Sequence, residues 1–310
     1  MTSARPPIVC LLGPTGTGKT SAAIAIAGRL PASVINFDSR QVYRDFPVVT
    51  AQPDAEERAA CPHHLYGFLP TEEKMTAARF VELAVDKIEE VRGQGRLPIL
   101  VGGTGLYLRS LLSGIAPIPE IPGEIRRQVL DRVAEEGPQA LHAELSRTDP
   151  DYAAKIHPND TQRNARAAEV YLATGRTMTW WHTESEHAPA PYGALKVGMR
   201  IALSDLEPHL AARIDVMLER GALDEAQAAY GRCPDPDAPG WTGIGCAELL
   251  GFLRGELTMA EAREKWVRNT RAYAKRQITW FNKEADIHWF APGENGPIAD
   301  LTERWLSERG

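Results

Sequence analysis

The chain has 310 residues, 43% of them hydrophobic and 25% charged, with a formal net charge of -6. That is an ordinary globular composition, long enough for one large α/β domain with a substantial insertion, or for two domains, without covalent staples. The longest apolar run, about Ile8 to Leu12, is far too short to span a membrane, and the net charge weighs against a nucleic-acid partner unless a local basic patch overrides it. The opening Met1-Thr2-Ser3-Ala4-Arg5-Pro6-Pro7 lacks the apolar core of a signal peptide. Cys10, Cys61, Cys233 and Cys246 are scattered without a C-x-x-C pair, which predicts free thiols in a reducing cytoplasm.

Ile8-Val9-Cys10-Leu11-Leu12 reads as a buried strand, and the run that follows fits G-x-x-x-x-G-K-[ST] at every fixed position. In Gly13-Pro14-Thr15-Gly16-Thr17-Gly18-Lys19-Thr20 the glycines let successive backbone N–H groups converge on phosphate oxygens. The N-terminus of a helix over Ser21 to Leu30 adds partial positive charge. Lys19 is the expected point charge for the outer phosphate, and the Thr20 hydroxyl the expected Mg²⁺ ligand. Val34-Ile35-Asn36-Phe37 is a second short strand, ending at Asp38. Apolar residues at helical spacing predict an amphipathic helix over Met75 to Arg92, and Leu97 to Val101 a third strand closed by Gly102-Gly103-Thr104-Gly105. Strands alternating with helices predict a P-loop NTPase-like, doubly wound parallel sheet. Its ligands would sit outside the carboxyl ends of the strands, where Gly13–Thr20, Asp38–Tyr43 and Gly102–Gly105 converge.

The pattern changes near Pro117. From Gly123 to about Trp181 only helical signals occur, with Asp160 as N-cap of a helix running to Thr174 and Gly175 as its stop. The expected organisation is a catalytic core of residues 1–117 and 192–310, with an all-helical insertion at 118–191 closed by the polar stretch His182 to Pro191. Lys196 to Leu203 returns to strand character. Helices are expected at Leu206–Arg220, Leu223–Tyr230 and Ala247–Arg254, and Thr258-Met259-Ala260-Glu261 is a capping box opening a helix to about Trp280. Ile287 to Phe290 suggests an edge strand before a last helix, Ile298 to Leu306. Arg263, Lys265, Arg268, Arg271, Lys275, Arg276 and Lys283 make the one basic patch.

An NTP-hydrolysing loop protein places a carboxylate at the end of a later strand to hold Mg²⁺. Here the third strand ends Leu100-Val101-Gly102-Gly103, without an acid, so the phosphate belongs more naturally to a leaving group than to an energy source. Six blocks follow in order: Gly13-Pro14-Thr15-x-x-Gly18-Lys19-Thr20; Asp38-Ser39-Arg40-Gln41-Val42-Tyr43; His63-His64-Leu65; Pro98 to Tyr107; Pro158-Asn159-Asp160-x-Gln162-Arg163; and Ala274-Lys275-Arg276-Gln277-x-Thr279-Trp280-Phe281. Together they resemble the tRNA dimethylallyltransferase (tRNA isopentenyltransferase) family. The first block is shared by many families; the ordered set is specific.

The resemblance implies transfer of a dimethylallyl group from dimethylallyl diphosphate to the N6 amine of the adenosine at position 37 of tRNA, beside the anticodon, with Mg²⁺. It implies Asp38 as general base, with Lys19 and Thr20 at the departing diphosphate. Asp38, Ser39, Arg40, Gln41, Thr104, Arg126 and the stretch Gln162-Arg163-Asn164-Ala165-Arg166 fall on tRNA-contact positions. Lys275 and Arg276 are candidate phosphate contacts. Gln41 is chemically suited to pair bidentately with adenine, and the target base is expected to flip out of its stack. The expected partners are tRNA through its anticodon stem-loop and dimethylallyl diphosphate, with no membrane, for a cytoplasmic monomer.

Two departures stand out. Cys246-Ala247 occupy the place of the usual Tyr-Lys or Tyr-Arg, and Arg213 stands where the family has two arginines a turn apart, with only His209 a turn earlier. Arg213 remains a diphosphate candidate. Cys61, His63 and His64 have poor spacing for zinc, which favours a structural or positioning role. Trp180-Trp181 fit a helical core better than base stacking. An isopentenyltransferase acting on free adenine nucleotides, a P-loop small-molecule kinase and a non-enzymatic RNA-binding module are the competing functions.

Overall fold

The computed structural model describes residues 5–184 and 191–309, so residues 185–190 of the expected closing stretch lie outside the described residues. The chain divides into two compact units, Met1–Ser113 with Ala190–Gly310, and Gly114–Pro189.

In the first unit the elements run β1 (Pro7–Leu12), α1 (Lys19–Ala27), β2 (Ala32–Asn36), α2 (Ala55–Ala60), β3 (His63–His64), α3 (Ala77–Gly93), β4 (Leu97–Val101) and α4 (Gly105–Ser113). Among its described residues the second unit has helices only: α5 (Gly123–Glu136), α6 (Pro138–Thr148), α7 (Pro150–Ala153), α8 (Thr161–Thr174) and α9 (Met178–Thr183). The first unit then resumes with β5 (Gly193–Met199), α10 (Leu203–Glu219), α11 (Ala222–Arg232), a 3-10 turn at Pro239–Thr242, α12 (Cys246–Leu253), α13 (Met259–Phe281), β6 (Ile287–Phe290) and α14 (Asn295–Ser307).

The sheet is parallel throughout, in the order β3-β2-β4-β1-β5-β6. β1 is central, with Val9 registered on Ile99 of one neighbour and Leu195 of the other. Covered on both faces, it reads as an unbroken apolar run. Val9 and Leu11 pack with Ala22 and Ile26 of α1 and Ile298 and Ala299 of α14. Ile8, Cys10 and Leu12 pack with Phe80 and Ile88 of α3 and Leu108 and Leu111 of α4. All four cysteines are buried and free.

The capping box of Thr258 and Glu261 opens α13 as its spacing predicts, and β6 forms the sheet edge. The strand expected at Lys196–Leu203 is displaced toward the N-terminus. β5 stops at Met199, and the Ile201–Leu203 apolar run instead leads into α10, where Leu206 and Leu210 pack against Ala274 of α13.

The second unit closes around Leu145, Ala153, Ile156, Ala167, Val170 and Met178. The Asp160 side chain accepts the Arg163 N–H, and Gly175 ends α8 in the left-handed conformation, as the sequence predicts. Trp181 packs against this core, and buried Asp149 ties α7 to α9 through the Thr179 N–H and hydroxyl at 2.9 and 2.6 Å. Among the described residues no helix is long and apolar enough to cross a membrane.

Candidate active site

β1 delivers the chain into the phosphate loop at Gly13, whose φ of +142° suits glycine; a Cβ there would meet the Met199 carbonyl at 2.8 Å. The loop is locked from within. Buried Thr17 donates its hydroxyl to the Pro14 carbonyl at 2.9 Å, so its role is to hold the turn. Lys19 opens α1 and donates to the carbonyls of Gly13 and Pro14 at 3.0 and 2.7 Å. Burial pushes the Lys19 ammonium down to about 8, against the pull of Asp38, and Arg213 lowers it further. An anion between Lys19 and Arg213 would relieve both effects. Thr20 lies beside Lys19 in the first turn, partly exposed.

Asp38 follows the end of β2 and is fixed through its backbone. Fully buried Asn36 accepts the Asp38 N–H at 2.7 Å and donates to the carbonyls of Asp38 and Leu65 at 3.1 and 2.9 Å. One Asp38 oxygen accepts the Arg40 N–H at 2.9 Å, so the residue caps its own turn. The other, Oδ2, lies 3.6 Å from where a Cβ on Gly103 would stand. The Ser39 N–H donates to the Thr104 hydroxyl at 2.9 Å, and Thr104 also bonds the Tyr273 side chain. From α13, Gln277 joins two of the three strand ends: its carbonyl accepts the Thr15 N–H at 3.2 Å and its amide donates to the Gly103 carbonyl at 3.0 Å.

Of these parts Thr15, Asp38, Ser39 and Tyr273 line one cavity of about 350 Å³, whereas Lys19, Thr20, Thr104 and Gln277 lie behind its lining. Thr15, Asp38, Arg40, Arg213 and Arg276 give it three cations and one carboxylate; Val49, Ile214, Met217, Ile244 and Trp266 make the rest apolar. Arg213 reaches the loop, with a guanidinium nitrogen 3.8 Å from a Cβ placed on Gly16. Burial lowers its pKa, yet a guanidinium keeps its charge. Such a site takes an anion joined to a small apolar group. Among the described residues no three His, Cys, Asp or Glu side chains cluster to hold a metal. A Mg²⁺ brought by a phosphate ligand would need only one or two protein oxygens, and the partly exposed Thr20 hydroxyl in the first turn of α1 is one that could serve.

The residues expected to contact tRNA lie in different settings. Asn164 is fully buried, with its amide on the carbonyls of His157 and Pro158 and its oxygen 3.1 Å from His142 Nδ1; Ala165 packs against Val129 and Leu141. Both belong to the core of the second unit, because a helical run of five residues turns two of them inward. Gln162 and Arg163 are exposed and Arg126 and Arg166 partly so, with Arg163 paired to Asp160 and Arg166 to Glu169. The Gln41 amide donates to the carbonyls of Thr50 and Ala51 at 3.1 and 2.6 Å, so it braces its own loop rather than presenting both donors to adenine. Arg40 donates to the Pro239 carbonyl and the Thr242 hydroxyl. Arg276 lines the cavity, whereas exposed Lys275 does not. Cys246 is buried and Ala247 exposed, so neither supplies the cation usual at that place; His209 is exposed and does not line the cavity.

Asn36, Gln277 and Tyr273 are the site residues that sequence reasoning left without a role. A signal existed for the last two: Trp266, Thr270, Tyr273 and Gln277 follow one helical face, and polar groups on a buried stripe need partners. His63 and His64 form the two-residue edge strand β3, on Val34 and Ile35 of β2.

A family model described as IPP transferase matches residues 41–284, and one described as the ATPase family associated with various cellular activities (AAA) matches residues 9–62. The chain is 55% identical over 308 residues to the tRNA dimethylallyltransferase of Maridesulfovibrio salexigens, covering 99% of this chain and 100% of that one. It is 45% identical to that of Lawsonia intracellularis, covering 97% and 98%. A crystal structure of the full-length tRNA isopentenylpyrophosphate transferase from Bacillus halodurans superposes with a TM-score of 0.72 at 35% identity, over 98% of each chain. A eukaryotic dimethylallyltransferase described as acting on tRNA superposes with a TM-score of 0.82 at 29% identity, over 98% of this chain and 80% of its own. With a phosphate loop, a fixed carboxylate and an apolar cavity on a parallel sheet, the chain belongs to the IPP transferase family.

Proposed function

We infer that the protein transfers a dimethylallyl group from dimethylallyl diphosphate to the N6 amine of an adenosine next to the anticodon of tRNA, releasing diphosphate. One observation carries this reading: Thr15 of the phosphate loop, Asp38, Arg213 and an apolar wall line a single cavity. The allylic C1–O bond breaks as charge builds on the diphosphate, and the loop N–H groups, Lys19 and Arg213 neutralise that charge. The amine nitrogen bonds to C1, and its proton passes to Asp38 Oδ2, since Oδ1 is engaged by the Arg40 N–H. Mg²⁺ held by the Thr20 hydroxyl would add positive charge at the diphosphate.

Ser39, Arg40, Thr104 and Arg276 in the first unit, and Arg126, Gln162, Arg163 and Arg166 in the second, are the surfaces we assign to tRNA. The second unit is the tRNA-binding insertion in this proposal, and the protein works as a cytoplasmic monomer. The kinase alternative lacks the acid it needs at the end of β4, where Val101 is followed by Gly102 and Gly103.

The test offers labelled dimethylallyl diphosphate and Mg²⁺ with unmodified tRNA, AMP or ATP. Label is expected in tRNA alone; transfer to AMP, or phosphate transfer from ATP, would overturn the proposal. Asp38→Asn keeps the bond to the Arg40 N–H, so tRNA binding should persist while turnover falls about 10²- to 10⁴-fold. Near-normal turnover would remove Asp38 as the base.

A further inference from the structure

Part of the cavity wall comes from a short turn rather than from a helix or strand. Val49, Thr50 and Ala51 contribute to it. Within the turn the Thr50 N–H donates to the Phe46 carbonyl at 3.1 Å and the Gln52 N–H to the Pro47 carbonyl at 2.8 Å. Ala51 sits at φ +53°, a left-handed conformation that costs free energy for a residue with a Cβ. A strained turn keeps such a shape only when its surroundings impose it.

Two side chains do so. Gln41 holds the carbonyls of Thr50 and Ala51. Glu225, in the first turn of α11, holds the N–H groups that precede them. Its two oxygens lie 2.8 and 3.2 Å from the Val48 nitrogen, and it also accepts the Val49 N–H. Glu225 is not among the residues lining the cavity.

We propose that Glu225 is a positioning residue for prenyl transfer, whose carboxylate holds the 47–52 turn, through the amides of Val48 and Val49, in the shape that fits the cavity to the donor's apolar group. This rests on the prenyl-transfer function inferred above.

The grip depends on ionisation. Burial pushes the Glu225 carboxyl up to about 7, against the two amides, and Asp45 pushes it further. The groups facing it are Asp45, itself bound to Arg232 and the Thr71 hydroxyl, and from α12 the Cys246 thiol, which Glu225 in turn pushes upward. Above about 7 the carboxylate offers lone pairs to both amides; below, one oxygen carries a proton that faces an N–H. Charge-assisted bonds are about twice as strong as neutral ones. Stability runs the other way. With a folded pKa above the ordinary 4.5, the contribution of Glu225 is fully present below that value and lost as pH rises through about 7. The form that grips the turn best is therefore the form folding favours least, which separates positioning from simple support.

Glu225→Gln is compared with the wild type, with the exposed neighbour variant Asp224→Asn as control. At about pH 8 we expect KM for dimethylallyl diphosphate to rise roughly five- to tenfold in Glu225→Gln, with kcat within about twofold and an unchanged or higher melting temperature. From about pH 8 to 6 the ratio of the Glu225→Gln KM to the wild-type KM should fall toward one, the Lys19 titration being common to both enzymes. A Glu225→Gln enzyme with wild-type KM and pH profile would overturn the proposal, and so would a higher KM accompanied by a lower melting temperature. Absence of transfer to tRNA by the wild type would sink the prenyl-transfer function instead. Amide exchange at Val48 and Val49 reads the contact without activity: protection equal in both proteins would overturn the positioning role by itself.

Discussion

Gly103→Ala tests whether Gln277 joins the phosphate loop to the end of β4. Gly103 is not among the glycines with positive φ, so alanine meets no backbone strain there, only crowding. Its Cβ would stand 2.0 Å from Gln277 Nε2 and 3.2 Å from its Cδ, while Asp38 Oδ2 at 3.6 Å stays in ordinary contact. Non-bonded heavy atoms settle at about 3.5–4.0 Å, so the amide must retreat by roughly 1.5 Å. Its bonds of 3.0 Å to the Gly103 carbonyl and 3.2 Å from the Thr15 N–H then pass out of range. Gln277 is only 4% exposed, so water does not replace them. Leaving a buried polar group without its partner costs about 1–3 kcal/mol, which puts Gly103→Ala at roughly 2–6 kcal/mol for the two bonds. Urea unfolding of Gly103→Ala, Gln277→Ala and the double variant closes a mutant cycle. With the amide gone, Gly103→Ala should cost less than about 1 kcal/mol, a coupling of at least about 1 kcal/mol. Additive costs would refute the bridge.

Lys19 sets an alkaline limit on donor binding. Its ammonium is lowered to about 8, and an adjacent diphosphate favours the charged form. KM for dimethylallyl diphosphate should therefore rise about five- to tenfold between pH about 7.5 and 9, and a flat KM would contradict it. Stability runs the opposite way: between about 8 and the ordinary 10.5 the unfolded chain holds more protons than the folded one, so Lys19 makes the fold more stable as pH rises through that window. In the second unit Asn164→Ala removes the bonds to His142, His157 and Pro158. We expect about 2–3 kcal/mol of destabilisation, read as a lower melting temperature; a wild-type melt would show the bonds contribute little.

Where a feature is written locally, the sequence shows it. The loop glycines with Lys19, the capping box of Thr258 and Glu261, the Asp160 cap with its Gly175 stop and the apolar runs of β1, β2 and β4 all act within a few residues. Features created by a distant partner do not show. β3 is two residues long and counts as a strand only because Val34 and Ile35 lie beside it. Gln41 is engaged by Thr50 and Ala51 across a fold-back that its neighbours do not announce. The resemblance treats the tRNA stretch 162–166 as one block, whereas helix geometry splits it into Gln162 and Arg163 outside and Asn164 and Ala165 inside.

The placement of β1 dictates an order of assembly. It comes before the other described strands in the sequence, yet it lies between β4, which ends at Val101, and β5, which ends at Met199. Beyond it, α1 buries Ala22, Ala23 and Ile26 against Ile298 and Ala299 of α14. In a growing chain α1 can therefore complete its packing against α14 only when residues near 300 have emerged.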